Sequence, residues 1–321
     1  MEEKMKNRVY VTEPLPLAGL ELLGDIAEVI VNEKISEVRA EDIKDVDAII
    51  AGDSKITANS LKLTERLKVI GRFGAGVDSV DIKACTEKGI ILFNVPRINA
   101  ESVVEHVIGM MVALSKNFRS LDKLVRDGFW SKKSKMIGNE IWKKTLGIIG
   151  AGNVGSLLAR RVKVFDMGVL ICDPFISEAK AKELGVELVD LETLLRESDY
   201  ISINCPLTDK TKGMIGEKEL KSMKNTAFII NTARGGIIKE DALYKALKEG
   251  WIKGAGIDVL ENEPVTEHPL FELDNVLLTP HFASWTAEAF QRVAMKTCQN
   301  IRKALRGGVP DNVVNKEVLK S

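Results

Sequence analysis

The chain is poor in the residues that build metal centres and disulfide frameworks. It holds three histidines and four cysteines in 321 residues. His106, His268 and His281 share no ligand spacing, so zinc chemistry is not expected. Cys85, Cys172, Cys205 and Cys298 lie far apart with no CxxC pair, which argues against structural bridges and fits a reducing cytoplasm. An excess of one charge is missing too, because 46 Lys plus Arg balance 46 Asp plus Glu. With no global field, neither nucleic acid nor an anionic membrane is an expected partner, and an anionic ligand must be held by local groups. No stretch approaches the roughly 20 apolar residues of a membrane span. The amino terminus, MEEKMKNRVYV, lacks the apolar region of a signal peptide.

What is present is a regular alternation. The length suggests two domains, and 45% hydrophobic residues suffice for two cores. Short β-branched runs alternate with amphipathic segments of helical length, the pattern of parallel α/β units. Expected strands in the first part are RVYVT (8–12), AEVIV (27–31), DAIIAG (47–52), LKVIGR (67–72) and GIILFN (89–94). A long helix is expected over NAESVVEHVIGMMVALSKNF (99–118), with Asn99 as its N-cap. The basic stretch 119–143, which contains Trp130 and Trp142, reads as a solvated face. Strands resume at TLGIIG (145–150), VLICD (169–173), YISINCP (200–206), AFIINTA (227–233), GAGIDV (254–259) and NVLLTP (275–280). A helical tail from about residue 286 ends at Gly307-Gly308 and is expected to return to the first domain.

GIIGAGNVG carries Gly150, Gly152 and Gly155 in GxGxxG spacing, with Asn153 and Val154 between. The motif follows an apolar strand and opens an amphipathic helix, and a second strand ends in Asp173, 18 residues past Gly155. That context marks a dinucleotide site. The first glycine permits a tight turn, the second lets backbone approach a pyrophosphate, and the third brings helix against strand. The helix N-terminus then offers N–H donors to the phosphates. Asp173 would accept from the ribose hydroxyls of NAD and repel the extra phosphate of NADP. A second glycine stretch, GRFGAGVDSVD (71–81), lacks the third glycine, so it suits either a plain turn or a small carboxylate nest.

Ligands of an open parallel sheet bind beyond the carboxyl ends of its strands. Three of those ends supply Arg234 (NTARGG), Glu263 (DVLENEP) and His281 (TPHFAS). An arginine forks onto a carboxylate, a histidine takes a hydroxyl proton as hydride leaves the adjacent carbon, and a carboxylate behind the imidazole fixes its tautomer. Glu261 rivals Glu263 on pattern alone. His106 reads as a satisfied mid-helix imidazole, and His268 reads as surface.

GIIGAGNVG with its following Asp173, NTARGG, IDVLENEP and LLTPHFAS occur together and in order. The chain thereby resembles the D-isomer-specific 2-hydroxyacid dehydrogenases over nearly its whole length. The resemblance implies a Rossmann NAD-binding domain, residues 99–288, inserted into a flavodoxin-like α/β substrate domain, residues 1–98 and 289–321. It implies a cleft between them and a homodimer, and it selects Arg234, Glu263 and His281 as catalytic residues. Gly152, Asn153, Val154, Asp173, Pro206, Ala233 and Asp258 match cofactor positions, with Asp258 meeting the nicotinamide amide. Ala75, Gly76 and Val77 match the loop that holds the substrate carboxylate. Within the family, GRFGAGVDSVD looks most like the 3-phosphoglycerate dehydrogenases, whose matching loop also has an arginine at the Arg72 position, so the resemblance implies a D-3-phosphoglycerate dehydrogenase-like activity and Arg72 as a substrate contact. Against that, Ala51 stands where some of those enzymes carry a second arginine, and the chain ends at Ser321 without room for appended regulatory domains. Arg72 also suits a structural ion pair. Glyoxylate or hydroxypyruvate reduction is therefore the alternative, and an NAD-sensing corepressor-type protein a remote one.

Overall fold

A computed structural model describes residues 6–33 and 35–320. The chain forms two compact units, one running to Asn99 and resuming at Trp285, the other Ala100–Ser284. In the first, parallel strands β1 (Asn7–Val11), β2 (Ala27–Val31), β3 (Ala48–Ala51), β4 (Val69–Arg72) and β5 (Ile91–Phe93) lie in the order β2-β1-β3-β4-β5. This is the flavodoxin order. Side chains alternate across the sheet as strand geometry requires. Val9, Val11, Ile50 and Val69 face one cluster with Val293, Ala294, Cys298 and Ile301 of the helix Ala287–Leu305. Tyr10, Ile49, Ile70 and Leu92 face the other, against Ile43, Leu61 and Cys85. Both faces are covered, so the strands read as nearly unbroken apolar runs.

The second unit holds β6 (Thr145–Ile149), β7 (Gly168–Cys172), β8 (Glu187–Leu188), β9 (Tyr200–Ile203), β10 (Phe228–Asn231), β11 (Gly254–Ile257) and β12 (Val276–Leu278). Their order is β12-β11-β10-β9-β6-β7-β8, all parallel. Counted from β6, this is the Rossmann order with one added edge strand. The order reverses between β6 and β9, so the ligand crevice of such a sheet opens above those two strand ends. Val104, Val107, Met110 and Met111 of the helix Ala100–Ser115 cover one face with Leu158 and Ala159. Leu194, Leu220, Leu243 and Ala246 cover the other.

Two elements depart from the sequence expectation. The helix expected over 99–118 stops at Ser115, and a new helix, Phe118–Arg126, begins after Asn117 at φ 55°. Asn tolerates that left-handed conformation better than most residues, which a periodicity reading does not register. The stretch 119–143, expected to be a solvated basic face, takes in most of that helix and a 3-10 turn, Trp130–Lys135, and it exposes Phe129, Trp130, Ile137 and Trp142. The two-residue strand β8 was too short to show any alternation.

Candidate active site

The three motif glycines occupy three different environments. Gly150 has φ +93°, and a Cβ there would lie 2.8 Å from the Cys205 nitrogen, so the turn admits only glycine. A Cβ at Gly155 would fall 2.0 Å from the Gly150 carbonyl oxygen, the close approach of helix to strand. At Gly152 a Cβ would meet nothing within 4 Å, which leaves open space over the start of the helix Asn153–Arg161. The first N–H groups of that helix lack intrahelical acceptors by construction. Asp173, just past β7, accepts from Ala151 N (2.6 Å) and from Phe175 N (2.7 Å). A carboxylate is thus braced beside the glycine turn. Pro206 is exposed in the loop after β9, its carbonyl accepting from Thr211 Oγ1 at 2.6 Å. The cradle, the open helix start and the neighbouring carboxylate fit a dinucleotide.

The thiols beside this crevice are not nucleophiles. Burial pushes Cys205 up to about 11, and in the core of the other unit it pushes Cys85 and Cys298 up to about 12. Cys172 is raised by the same cause. None supplies thiolate near neutral pH.

Further along the rim, Asn231 at the end of β10 is buried and shapes the turn that follows. Its Oδ1 accepts from Ala233 N (3.0 Å) and its Nδ2 donates to Arg234 O (2.8 Å). Arg234 Nη1 donates to Ala233 O at 2.7 Å. Past β11, Glu263 accepts from Leu260 N through Oε1 (2.9 Å) and meets His281 Nδ1 through Oε2 (2.7 Å). An ionised carboxylate only accepts, so Nδ1 carries the proton and Nε2 is left as the lone-pair nitrogen of the neutral ring. Glu261 makes no such contact; its N–H donates to Glu240 Oε1 at 2.6 Å.

The Glu263 hydrogen bond raises the His281 pKa above its ordinary value, burial opposes it, and the Glu263 charge raises it further. Arg234 lowers it and Asp258 raises it by smaller amounts, so guanidinium, acid and imidazole act on one another. The His281 and Glu263 side chains are 46% and 34% exposed. A pair so open to solvent adds only about 0–1 kcal/mol to folding. Tautomer and proton affinity are what it sets. Reduction of an oxo acid needs the imidazolium and oxidation of a hydroxy acid the neutral ring. The reductive rate should therefore fall, and the oxidative rate rise, as pH passes the raised pKa. In Glu263→Gln both breaks should move to lower pH, read from kcat/KM profiles in the two directions. Unmoved breaks would show that Glu263 does not tune the base.

Asp258 is the least accessible member of the site, with its side chain fully buried. Oδ1 accepts from Thr279 Oγ1 (2.5 Å) and Phe282 N (2.7 Å), and Oδ2 accepts from Ala283 N (3.0 Å). His106 Nε2 lies 3.1 Å from Thr279 Oγ1 and 3.7 Å from Asp258 Oδ1. His281 N donates to Asp258 O at 2.7 Å, and His281 itself sits at φ +54°. The carboxylate expected at the nicotinamide amide thus also ties down the loop presenting the imidazole. Sequence reasoning missed Thr279 and the brace from His106, and nothing in spacing could have joined residues 173 positions apart. His268 is not a surface residue: Nε2 meets Glu240 Oε2 at 2.9 Å and Nδ1 accepts from Leu270 N at 3.2 Å.

In the other unit, the backbone N–H groups of Ala75, Gly76 and Val77 donate to no acceptor among the described residues, while Asn94 Nδ2 holds Ala75 O at 2.6 Å. Arg72, beside this turn, donates from Nη2 to Asp53 Oδ1 (2.7 Å) and from Nη1 to Phe73 O (2.7 Å) and Ala51 O (3.3 Å).

A Rossmann sheet with a dinucleotide turn at its switch point and a His–Glu pair on the same rim defines an NAD-binding oxidoreductase. Residues 108–283 match the family model described as D-isomer specific 2-hydroxyacid dehydrogenase, NAD binding domain. The chain is 41% identical over 311 residues to a D-3-phosphoglycerate dehydrogenase of Methanocaldococcus jannaschii, covering 96% of this chain and 59% of that protein. It is 39% identical over 325 residues to a glyoxylate reductase of Korarchaeum cryptofilum, covering 98% of both. A D-lactate dehydrogenase structure from Aquifex aeolicus, complexed with NAD and lactic acid, superposes with TM-score 0.84 at 31% identity, covering 98% of each chain. The chain belongs to the D-isomer-specific 2-hydroxyacid dehydrogenase family, oxidoreductases acting on CH–OH donors. No helix among the described residues is long and apolar enough to cross a membrane.

Proposed function

We propose that the chain is an NAD-dependent dehydrogenase interconverting a short D-2-hydroxy acid and its 2-oxo acid. The contact of His281 Nδ1 with Glu263 Oε2 at 2.7 Å carries this reading, because it leaves Nε2 as a base on the cofactor rim. The crevice above the ends of β6 and β9 would hold the dinucleotide, whose nicotinamide would supply or accept the hydride when bound. His281 takes the hydroxyl proton at Nε2 during oxidation and returns it to the carbonyl oxygen during reduction. Arg234 forks onto the substrate carboxylate and polarises the neighbouring carbonyl. Ala75, Gly76 and Val77 are assigned to carboxylate binding through their N–H groups. Gly152, Asn153 and Val154 hold the pyrophosphate, Asp173 the ribose, and Pro206, Ala233 and Asp258 the remainder of the cofactor.

Two substrate readings each have a named relative in support, 3-phosphoglycerate and glyoxylate. The direct experiment follows NADH oxidation with glyoxylate, hydroxypyruvate and phosphohydroxypyruvate. Turnover of any of them supports the dehydrogenase, whereas tight NADH binding with no turnover would favour a cofactor-sensing binding protein.

NAD is preferred over NADP in this reading because the Asp173 charge repels a 2′-phosphate. Asp173→Asn removes the charge while keeping an acceptor for Ala151 N. The preference for NADH over NADPH in kcat/KM should shrink by about tenfold or more, the scale of removing a like-charge clash. An unchanged ratio would remove Asp173 from the ribose site.

A homodimer is also proposed. The segment 118–142 exposes Phe118, Phe129, Trp130 (66%), Ile137 (84%) and Trp142, apolar side chains that a second copy of the chain would cover. Light scattering should give a dimer for the wild type and a monomer for Ile137→Asp combined with Trp130→Ser. A dimer unaffected by that pair would locate the interface elsewhere. A cytoplasmic location is proposed as well, which the four free thiols suit.

A further inference from the structure

We infer that Asp53 sets substrate choice at this site by neutralising Arg72, so that the enzyme favours acids without a phosphate. The inference rests on the dehydrogenase reading above and decides between its two substrate classes. The ends of β1, β3 and β4 bring three charged groups to one corner of the first sheet. Arg72 projects from the end of β4, Asp53 lies two residues past β3, and Glu13 two residues past β1. The Glu13 carboxylate lies flat against Gly52, so close that a Cβ there would come within 1.8 Å of Oε1.

The geometry of Arg72 leaves little of its fork for a ligand. Nη2 is committed to Asp53 Oδ1 at 2.7 Å, and Nη1 to the carbonyls of Phe73 and Ala51 at 2.7 and 3.3 Å. The Arg72 side chain is 12% exposed while that of Asp53 is 54% exposed, so an approaching ligand meets the carboxylate first. Arg72 Nε is buried with no acceptor, which leaves it out of reach of solvent and ligand alike. A phosphate monoester carries a charge of about −1.5 to −2 near pH 7 and needs several donors at once. To gain Nη2 it must displace Asp53 and then sit against that displaced carboxylate. An acid ending in a hydrogen or a hydroxyl meets no such opposition. The carboxylate end of either substrate is served by the adjacent N–H groups of Ala75, Gly76 and Val77, and so does not distinguish them.

The test compares phosphohydroxypyruvate with hydroxypyruvate, which differ only in the phosphate, as a ratio of kcat/KM with NADH. The wild type should prefer hydroxypyruvate. Asp53→Asn should raise the phosphorylated-to-plain ratio by about tenfold or more, since it converts a repelling charge into a neutral donor and releases Arg72. Arg72→Gln should leave the wild-type ratio within about threefold, and in the Asp53→Asn background it should abolish the gain. A wild type preferring phosphohydroxypyruvate and losing that preference in Arg72→Gln would overturn the inference, as would an Asp53→Asn ratio equal to the wild type. If no oxo acid is turned over, the dehydrogenase reading fails separately. Calorimetric titration with D-3-phosphoglycerate and D-glycerate then decides the same point without chemistry: selective tightening of the phosphorylated acid in Asp53→Asn supports the inference, and equal affinities in both proteins overturn it.

Discussion

Replacing His281 by alanine is expected to lower kcat by roughly 10²–10⁴-fold while NADH binding stays close to that of the wild type, because general acid–base catalysis contributes on that scale. The reason lies in how the ring is presented. Glu263 holds Nδ1 at 2.7 Å, so in the proposed reaction the proton transferred to and from substrate passes through Nε2. His106 is 19% exposed and faces Thr279, and His268 is engaged by Glu240 and Leu270, so neither serves as a substitute base. The backbone at position 281 lies at φ +54°, where alanine is strained and asparagine is better tolerated. His281→Asn is therefore the cleaner variant: it keeps the loop and removes the titrating group. Both variants should lose the pH dependence assigned to the imidazole. If either retains the wild-type profile, the ring does not carry the proton, whatever the size of the rate loss.

The strand ends were legible from sequence because buried parallel strands need β-branched runs that stop where a loop begins, and every residue of the proposed catalytic set lies just past such a stop. The tasks of Gly150 and Gly155 were legible for a similar reason, since each follows from a steric demand that only glycine meets, whereas Gly152 borders open space and its task depends on a ligand. What stayed hidden was pairing at a distance. Asp53 and Arg72 are 19 residues apart, Glu240 and His268 are 28 apart, and His106 and Thr279 are 173 apart. Nothing local encodes which carboxylate an arginine or imidazole will find. So His268 read as surface from its acidic neighbours, and Arg72 read equally well as a ligand group or a partner. The break at Asn117 was hidden because one left-handed residue does not disturb an apolar period. Hydrophobic periodicity thus located the candidate site, and the tertiary hydrogen bonds describe how its side chains are held.

Asp258→Ala is expected to cost both stability and rate, by separate routes that two measurements distinguish. The wild-type carboxylate, buried between β11 and the loop after β12, accepts from Thr279 Oγ1, Phe282 N and Ala283 N. Alanine offers none of these an acceptor. A buried donor left unsatisfied costs about 1–3 kcal/mol, so three of them near the lower end of that range cost about 3–5 kcal/mol. At about 2–4 °C per kcal/mol the melting temperature should fall by roughly 6–20 °C. His281 N still reaches the Asp258 carbonyl, so the loop keeps one anchor, but the segment from Phe282 to Ala283 loses both side-chain anchors. At a temperature where the variant remains folded, kcat should still fall well below that of the wild type, because the imidazole no longer rides on a fixed loop. Asp258→Asn separates charge from shape. It retains one oxygen for Thr279 and Phe282 and sets an amide N–H₂ against the Ala283 N–H, so its stability should lie between the two. Wild-type melting and rate in Asp258→Ala would mean that the contact from His106 to Thr279 holds the loop unaided, and the carboxylate would then lose its structural role.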